Sequence, residues 1–432
     1  MIRASPSPPL SRRPRPMTQP WWQHESHTVL DDDILFDGHS LTQLARQHGT
    51  PLYVYSRETV QRQLRRMQDA LAAVRMPHRI YYAMKSNRHP GVLRAVRDLG
   101  DVGIDTCSPR EVELALVAGF APGEISFNAG MLSTAELAYL ASSGVHCTLD
   151  TLSGLRRYAA LAPAGTAVGL RFNPGVRVGY GDNPKMAYGD SKFGFEPDGL
   201  EQILETVRAL GLRVDAVHMH IGWGLTQNSV PQVAKAFTRL ADIGRHIEGL
   251  EYINVGGGLG ARYVEGDQPL ELSSWASLIA EILGPLGATI CCEPGTFVSA
   301  SSGMLVVEAN TIETRRGVTW LGVNAGFAIN PNPSMYGIAL TALALQQPRA
   351  EATHAYTIAG NINESGDIWG RDMMLPVIQE GELLAFFPAG AYGSSMGSDH
   401  CLRGKATEVM LETIAAPMSA TQDGPSAPAR GQ

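Results

Sequence analysis

No stretch of the 432-residue sequence comes near the roughly twenty consecutive apolar residues that cross a bilayer, although 44% of its residues are apolar. A membrane-spanning helix is thereby excluded. Blocks of like charge are missing too. The 35 basic and 42 acidic residues are dispersed for a net charge of -7, which removes the usual basis for a nucleic-acid face or a polybasic membrane patch. A small-molecule partner is expected instead. Cysteine is sparse: Cys107, Cys147, Cys291, Cys292 and Cys401 are odd in number and show no paired zinc spacing, which fits buried or free thiols in a reducing cytoplasm. The histidines do not fall into ligand spacings either. His218 and His220 share one strand face but lack a third ligand nearby, so no metal is expected.

The first twenty residues, "MIRASPSPPLSRRPRPMTQP", lack the apolar core of a secretory signal and are expected to form a disordered leader over 1–24. A disordered tail is expected over 415–432. Between Arg79 and Gly295 eight short β-type runs alternate with stretches of helical periodicity: "RIYYAMK", "DVGIDTC", "EISFNAG", "VHCTLD", "AVGLRFN", "VDAVHMHIG", "YINVGGG" and "ATICCEPG". Eight such units predict an α/β fold, a (β/α)8 TIM-like barrel over 46–300. After Gly295 the texture turns to β-branched and aromatic runs such as "GMLVVEANTIETRR" and "GELLAFFPAGAY", which predict a mostly-β domain over 301–414. The alternating segment "TVLDDDILFDG", within 25–45, is expected to supply that domain with an N-terminal strand.

Barrels of this kind carry their chemistry at the C-terminal ends of the strands. Strand one ends in Lys85, strand six carries His218 and His220, strand seven runs into Gly256, Gly257 and Gly258, and strand eight ends in Glu293, Pro294 and Gly295. Singly, these read as a solvent-reaching lysine, a core histidine, a tight turn and an odd buried acid. Together, they supply at one barrel end an amine, an aromatic face, a phosphate cradle and a carboxylate. Pyridoxal phosphate needs those parts: a lysine for the Schiff base, amides for the phosphate, a stacking ring, and an acid that keeps the pyridine nitrogen protonated.

Seven motifs then carry a resemblance: "YYAMKSN", "SKFGF", "HMHIGWG", "NVGGGLG", "CEPGT", "NESGD" and "GAYGSSM", in that order. From Asp31 to Leu411 the chain resembles the fold-type III pyridoxal phosphate-dependent decarboxylases, with the alanine racemase-like barrel, a group that includes diaminopimelate and ornithine decarboxylases. The resemblance implies Lys85 for the aldimine, His220 for stacking, Gly256 to Gly258 and Gly295 around the cofactor, Glu293 for the ring nitrogen and Tyr392 for a further phosphate contact. It also implies a homodimer in which "NESGD" reaches the second subunit's site. The family usually has cysteine where this chain has Asn363, and an amide cannot donate a proton as an acid does.

Other departures concern the substrate. Thr296 and Asn332 stand where the diaminopimelate enzymes usually carry arginines that clamp a distal carboxylate. Trp223 replaces the serine of "HIGS". Glu364, Tyr336 and His400 remain as candidate substrate contacts, together with Asp399 and Arg403. The resulting expectation is a pyridoxal phosphate-dependent decarboxylase of a diamino acid such as lysine or ornithine, or of an amino-acid conjugate. Diaminopimelate decarboxylation to L-lysine stands as an alternative, beside a racemase or a non-catalytic pyridoxal phosphate-binding protein. Glu293 weighs against the racemase, since those enzymes resemble one another in placing arginine at the ring nitrogen.

Overall fold

The computed structural model describes residues 20–23, 26–30, 32–180 and 191–412. The expected tail, and the expected leader apart from residues 20–23, lie outside these residues. At residue 22 the chain is already packed: Trp22 is buried with Ile34 and Phe36.

The N-terminal segment differs from the sequence expectation. Strands β1 (His27–Leu30), β2 (Asp33–Phe36) and β3 (His39–Ser40) form a separate antiparallel sheet. Leu30 pairs antiparallel with Asp33, so the run closes on itself instead of crossing to another sheet. The strand that does join the β domain is β4 (Leu52–Ser56), which lies inside the span assigned to the barrel. All five residues of "LYVYS" are buried, as a strand paired on both edges requires. Ser56 ends β4 and caps the next helix, Arg57–Ala73, by accepting from Thr59 N–H; that helix buries Val60, Leu64, Met67 and Leu71 at three- to four-residue spacing.

The eight expected runs each coincide, to within one residue at the start, with one strand of a closed parallel barrel. These are β5 (His78–Ala83), β6 (Val102–Thr106), β7 (Ile125–Asn128), β8 (His146–Leu149), β9 (Ala167–Phe172), β10 (Arg213–Met219), β11 (Tyr252–Asn254) and β12 (Thr289–Cys292), with β12 pairing back onto β5. Beyond it come β13 (Gly303–Arg315), β14 (Val318–Val323), β15 (Thr341–Ala344), β16 (His354–Ala359), β17 (Ile368–Leu375), β18 (Leu383–Phe387) and β19 (Thr407–Leu411). They form a sheet in the order β15-β18-β13-β14-β16-β17, with β4 pairing to both β13 and β19. Its Met304, Val306, Leu343 and Phe387 pack with Ile34, Phe36, Leu52 and Val54 in one apolar cluster.

The loop after β18 returns to the barrel. Tyr392 N–H donates to the Ser86 carbonyl at 2.7 Å, and the Asn87 amide donates to the Gly390 carbonyl at 2.9 Å. The β domain is thus tied to the two residues that directly follow Lys85. Because β4 holds this arrangement from its centre, Leu52→Ala is expected to cost about 2–5 kcal/mol, the usual range for emptying a buried leucine site. Urea unfolding of the purified variant against the parent measures it.

Candidate active site

The strand ends and the returning loop enclose a cavity of about 530 Å³. Lys85, His220, Gly257, Gly258, Glu293, Gly295, Thr296, Asn332, Tyr336 and Tyr392 all line it. Lys85 sits in a short turn, Met84–Ser86, that follows β5, so its side chain leaves the strand at the barrel mouth and is 41% exposed to the cavity. Its Nζ donates to Asp105 Oδ2 at 3.1 Å and lies 3.4 Å from Cys107 Sγ.

Asp105, at the end of β6, is fully buried, and its Oδ1 has no hydrogen-bond partner among the described residues. Burial and then the charge of Glu293 push its carboxyl up to about 8, against the pull of Lys85. For Lys85 burial is again the largest influence and acts downward, but Asp105, Cys107, Tyr392 and Glu293 outweigh it and hold the amine above its ordinary range. The two groups titrate as a pair. Burial pushes the Cys107 thiol up to about 12 despite the amine beside it, so it stays protonated.

Glu293 follows β12 and is buried. Its Oε1 accepts from Asn254 Nδ2 at 2.7 Å; its Oε2 lies 3.2 Å from His218 Nε2 and accepts from Asn128 Nδ2 at 3.4 Å. Arg171 supports Asn128 through its Oδ1 at 3.3 Å and lies over the Phe193 ring. Burial alone would raise the Glu293 carboxyl, but His218, through its charge and hydrogen bond, and the charge of Lys85 outweigh it and hold the group below the usual range, ionised.

The glycine run is a cradle that side chains would fill. Gly256 and Gly258 have φ of 66° and 105°, and a Cβ on Gly257 would stand 2.5 Å from the Glu293 carbonyl. Gly257 N–H donates to His220 Nδ1 at 3.1 Å. Burial, then Arg171 and Lys85, hold His220 well below its ordinary range, so its imidazole is neutral and Nδ1 can accept. An amine, a glycine cradle, a neutral imidazole and an ionised carboxylate on one cavity are a donor set that fits pyridoxal phosphate.

The remaining expected residues divide. Asn332 is buried, with its side-chain amide donating to the Ala391 carbonyl at 3.0 Å, next to Tyr392. Thr296 accepts from the indole N–H of Trp223. Asn363, Glu364 and His400 do not line the cavity; all three are exposed, with Glu364 3.6 Å from His400. The loop of Asn363 and Glu364 is shaped by buried Asp367, which accepts from the N–H groups of Ile362 and Phe327, each at 3.0 Å. Asp105, Asn128 and Arg171 were not expected at the site from the sequence, and Cys107 was expected only as a buried or free thiol. All four lie in the last two positions of barrel strands or just after them, so the rule that found Lys85 and Glu293 would have found them if applied to strands two, three and five.

Gly257→Ala is expected to weaken pyridoxal phosphate binding about tenfold or more, the scale of overpacking a rigid site; absorbance titration of the folded apoprotein measures it. Asp105 keeps its proton in the folded chain to about pH 8, whereas an unfolded aspartate loses it near pH 4. The folded state therefore binds more protons between those values, and stability falls as pH rises through them. Asp105→Asn is expected to flatten that decline, as read from urea midpoints at about pH 5 and about pH 8.

Residues 57–300 match the family model described as pyridoxal-dependent decarboxylase, pyridoxal binding domain. The chain is 33% identical to a diaminopimelate decarboxylase of Methanothermobacter thermautotrophicus over 88% of this chain and 90% of that protein. It is 32% identical to the diaminopimelate decarboxylase of Pseudomonas aeruginosa over 90% and 94%. Among solved structures, diaminopimelate decarboxylase from Helicobacter pylori complexed with L-lysine superposes with a TM-score of 0.79 at 27% identity, covering 86% of this chain and 94% of that one. A family match from the helix after β4 to the edge of the β domain, with relatives spanning most of both domains, places the chain among its kin: it belongs to the pyridoxal-dependent decarboxylases.

Proposed function

We propose that this chain removes the α-carboxyl group of an amino acid carrying a second amino group, such as lysine or ornithine in either configuration, or of a conjugate of one. The observation that carries the reading is an ionised, hydrogen-bonded Glu293 on the same cavity as the Lys85 amine. Pyridoxal phosphate, when bound, supplies the electron sink for the pair left behind as the carboxylate departs as carbon dioxide.

The chain's own groups divide the remaining work. Lys85 holds the cofactor through its amine and moves protons at Nζ, with Asp105 3.1 Å away as the partner that shares them. Glu293, fixed by Asn254 and His218, would be the acid that keeps a proton on the ring nitrogen. The neutral His220 offers its ring face. The Gly256–Gly258 turn, whose first two N–H groups are engaged by Asn254 Oδ1 and His220 Nδ1, would leave side-chain-free space and the Gly258 N–H for the phosphate, with Tyr392. Two features support a diamino acid without a distal carboxylate over diaminopimelate. The Thr296 hydroxyl is engaged by Trp223, and the Asn332 amide by the Ala391 carbonyl, so neither position offers a guanidinium fork to a distal carboxylate.

The reading includes a homodimer with composite sites. Asn363 and Glu364 are exposed and away from their own chain's cavity, as groups serving a second copy's site would be. In that place the Asn363 amide orients a donor and does not itself supply the proton; Glu364 meets the distal amine, with His400 beside it. Five free thiols among the described residues fit a reducing cytoplasm. The same reading divides the chain into a barrel over 46–300, which lends β4, and a β domain over 301–414.

Diaminopimelate decarboxylation is the second reading, favoured by the names of relatives that match most of the chain. Carbon dioxide release from the loaded protein, screened with D- and L-lysine, D- and L-ornithine and meso-diaminopimelate, separates the two. Turnover of lysine or ornithine is expected; turnover of meso-diaminopimelate alone would overturn the substrate assignment.

A further inference from the structure

The Trp223–Thr296 pair has a consequence for how the cofactor is held. An indole N–H can only donate, so in this bond the Thr296 hydroxyl is the acceptor. A threonine hydroxyl carries one hydrogen of its own, and that hydrogen is left for another acceptor. Thr296 makes no second side-chain hydrogen bond among the described residues, is only 3% exposed, and lines the cavity. Its remaining hydrogen therefore has the cavity's contents to bond to.

The position of the pair says which part of the contents. Trp223 sits on a loop packed directly against the glycine cradle: Leu225 N–H donates to the Gly258 carbonyl at 2.9 Å, and a Cβ on Gly258 would come 2.8 Å from the Gly222 carbonyl. Thr296 follows Gly295, whose added Cβ would meet the Tyr392 hydroxyl at 2.9 Å. The two side chains thus bridge the loops after strands six and eight, flanking the glycines after strand seven. The indole cannot swing away. Tyr180 meets it edge-on at 5.4 Å, Tyr263 lies at 5.8 Å, and Tyr180 is itself held by Asp267 at 3.0 Å. Gly224, with φ of 74°, lets the loop pass so close to Tyr180 that a Cβ there would stand 2.7 Å from the Tyr180 Cβ.

We propose that Thr296 donates its hydroxyl hydrogen to the phosphate of the cofactor, and that Trp223 is the positioning residue that aims it by occupying the acceptor side of the same oxygen. The phosphate is then gripped here by a neutral, directed donor. Thr296 moves from the substrate group, where its place in "CEPGT" had put it, to the cofactor group.

The test uses Thr296→Val, which keeps the shape and removes the hydroxyl, Trp223→Phe, which keeps a ring and removes the N–H, and the double variant. Pyridoxal phosphate dissociation from each apoprotein is measured by equilibrium dialysis, and the phosphate's phosphorus resonance is recorded in each holoenzyme. Loss of one bond to a charged group predicts binding about tenfold to a hundredfold weaker for Thr296→Val, with a displaced resonance. Trp223→Phe should weaken binding in the same direction, and the double variant should be no worse than Thr296→Val, because both act through one bond. Thr296→Ser should restore affinity and resonance, and stands in as the reference if the valine variant does not fold, with Thr296→Ala as the loss. Unchanged dissociation and resonance in the Thr296 variants would overturn the proposal, whether or not KM for an amino acid moves. A Trp223→Phe variant matching the parent while Thr296→Val is impaired would overturn the positioning role. Both readouts need no turnover, so failure of the decarboxylase substrate assignment leaves them interpretable.

Discussion

A carboxylate buried at the end of β12 has to be satisfied, and much of the barrel's upper interior is arranged to do so. Leaving such a charge unpaired costs several kcal/mol, more than most single packing contacts contribute. Glu293 therefore draws polar groups from three other strands: Asn254 from β11, His218 from β10 and Asn128 from β7, with Arg171 from β9 bracing Asn128. Each of these groups is itself buried. The network fixes Glu293 in the ionised form, and it depends on the barrel closing in one register, because a one-residue slip would turn every partner away from the cavity.

Lys85 stands against a different background. Its amine faces Asp105, which burial makes a poor acid, and a thiol that burial keeps protonated. The cavity thus pairs a strongly ionised acid, Glu293, with a reluctant one, Asp105, and that separation of proton affinities is how one site keeps a charge in one place and moves a proton in another. The β domain completes the arrangement. Tyr392 and Asn87 bond across the joint directly after Lys85, so the cavity-lining tyrosine and the lysine are positioned by the same few hydrogen bonds.

The barrel was legible because each βα unit states its own period: short apolar runs such as "AVGLRFN" and "ATICCEPG" are separated by helical stretches, and their ends display Lys85 and Glu293 without any knowledge of pairing. The N-terminal strand was misread for a reason of the same kind. Both "TVLDDDILFDG" and "LYVYS" have strand character, and which of them enters the β sheet depends on what lies beside them in space. The first pairs with itself as a hairpin, while the second is apolar enough to be buried on both faces between β13 and β19.

The sequence by itself determined the barrel, the presence of a β domain and the four groups at the strand ends, because these follow from local periodicity and from the rule that side chains at strand termini face the barrel mouth. Only the tertiary structure decided how those groups behave. Asp105 and Cys107 acquire their proton affinities from burial and from Lys85, a neighbour twenty residues away in the chain. Trp223 and Thr296, seventy-three residues apart, become one hydrogen-bonded unit. Asn332, read as a place where a substrate clamp is missing, proved to be holding the Ala391 carbonyl beside Tyr392. Burial and hydrogen bonding are properties of neighbours in space, and a linear pattern does not contain them until the chain has folded.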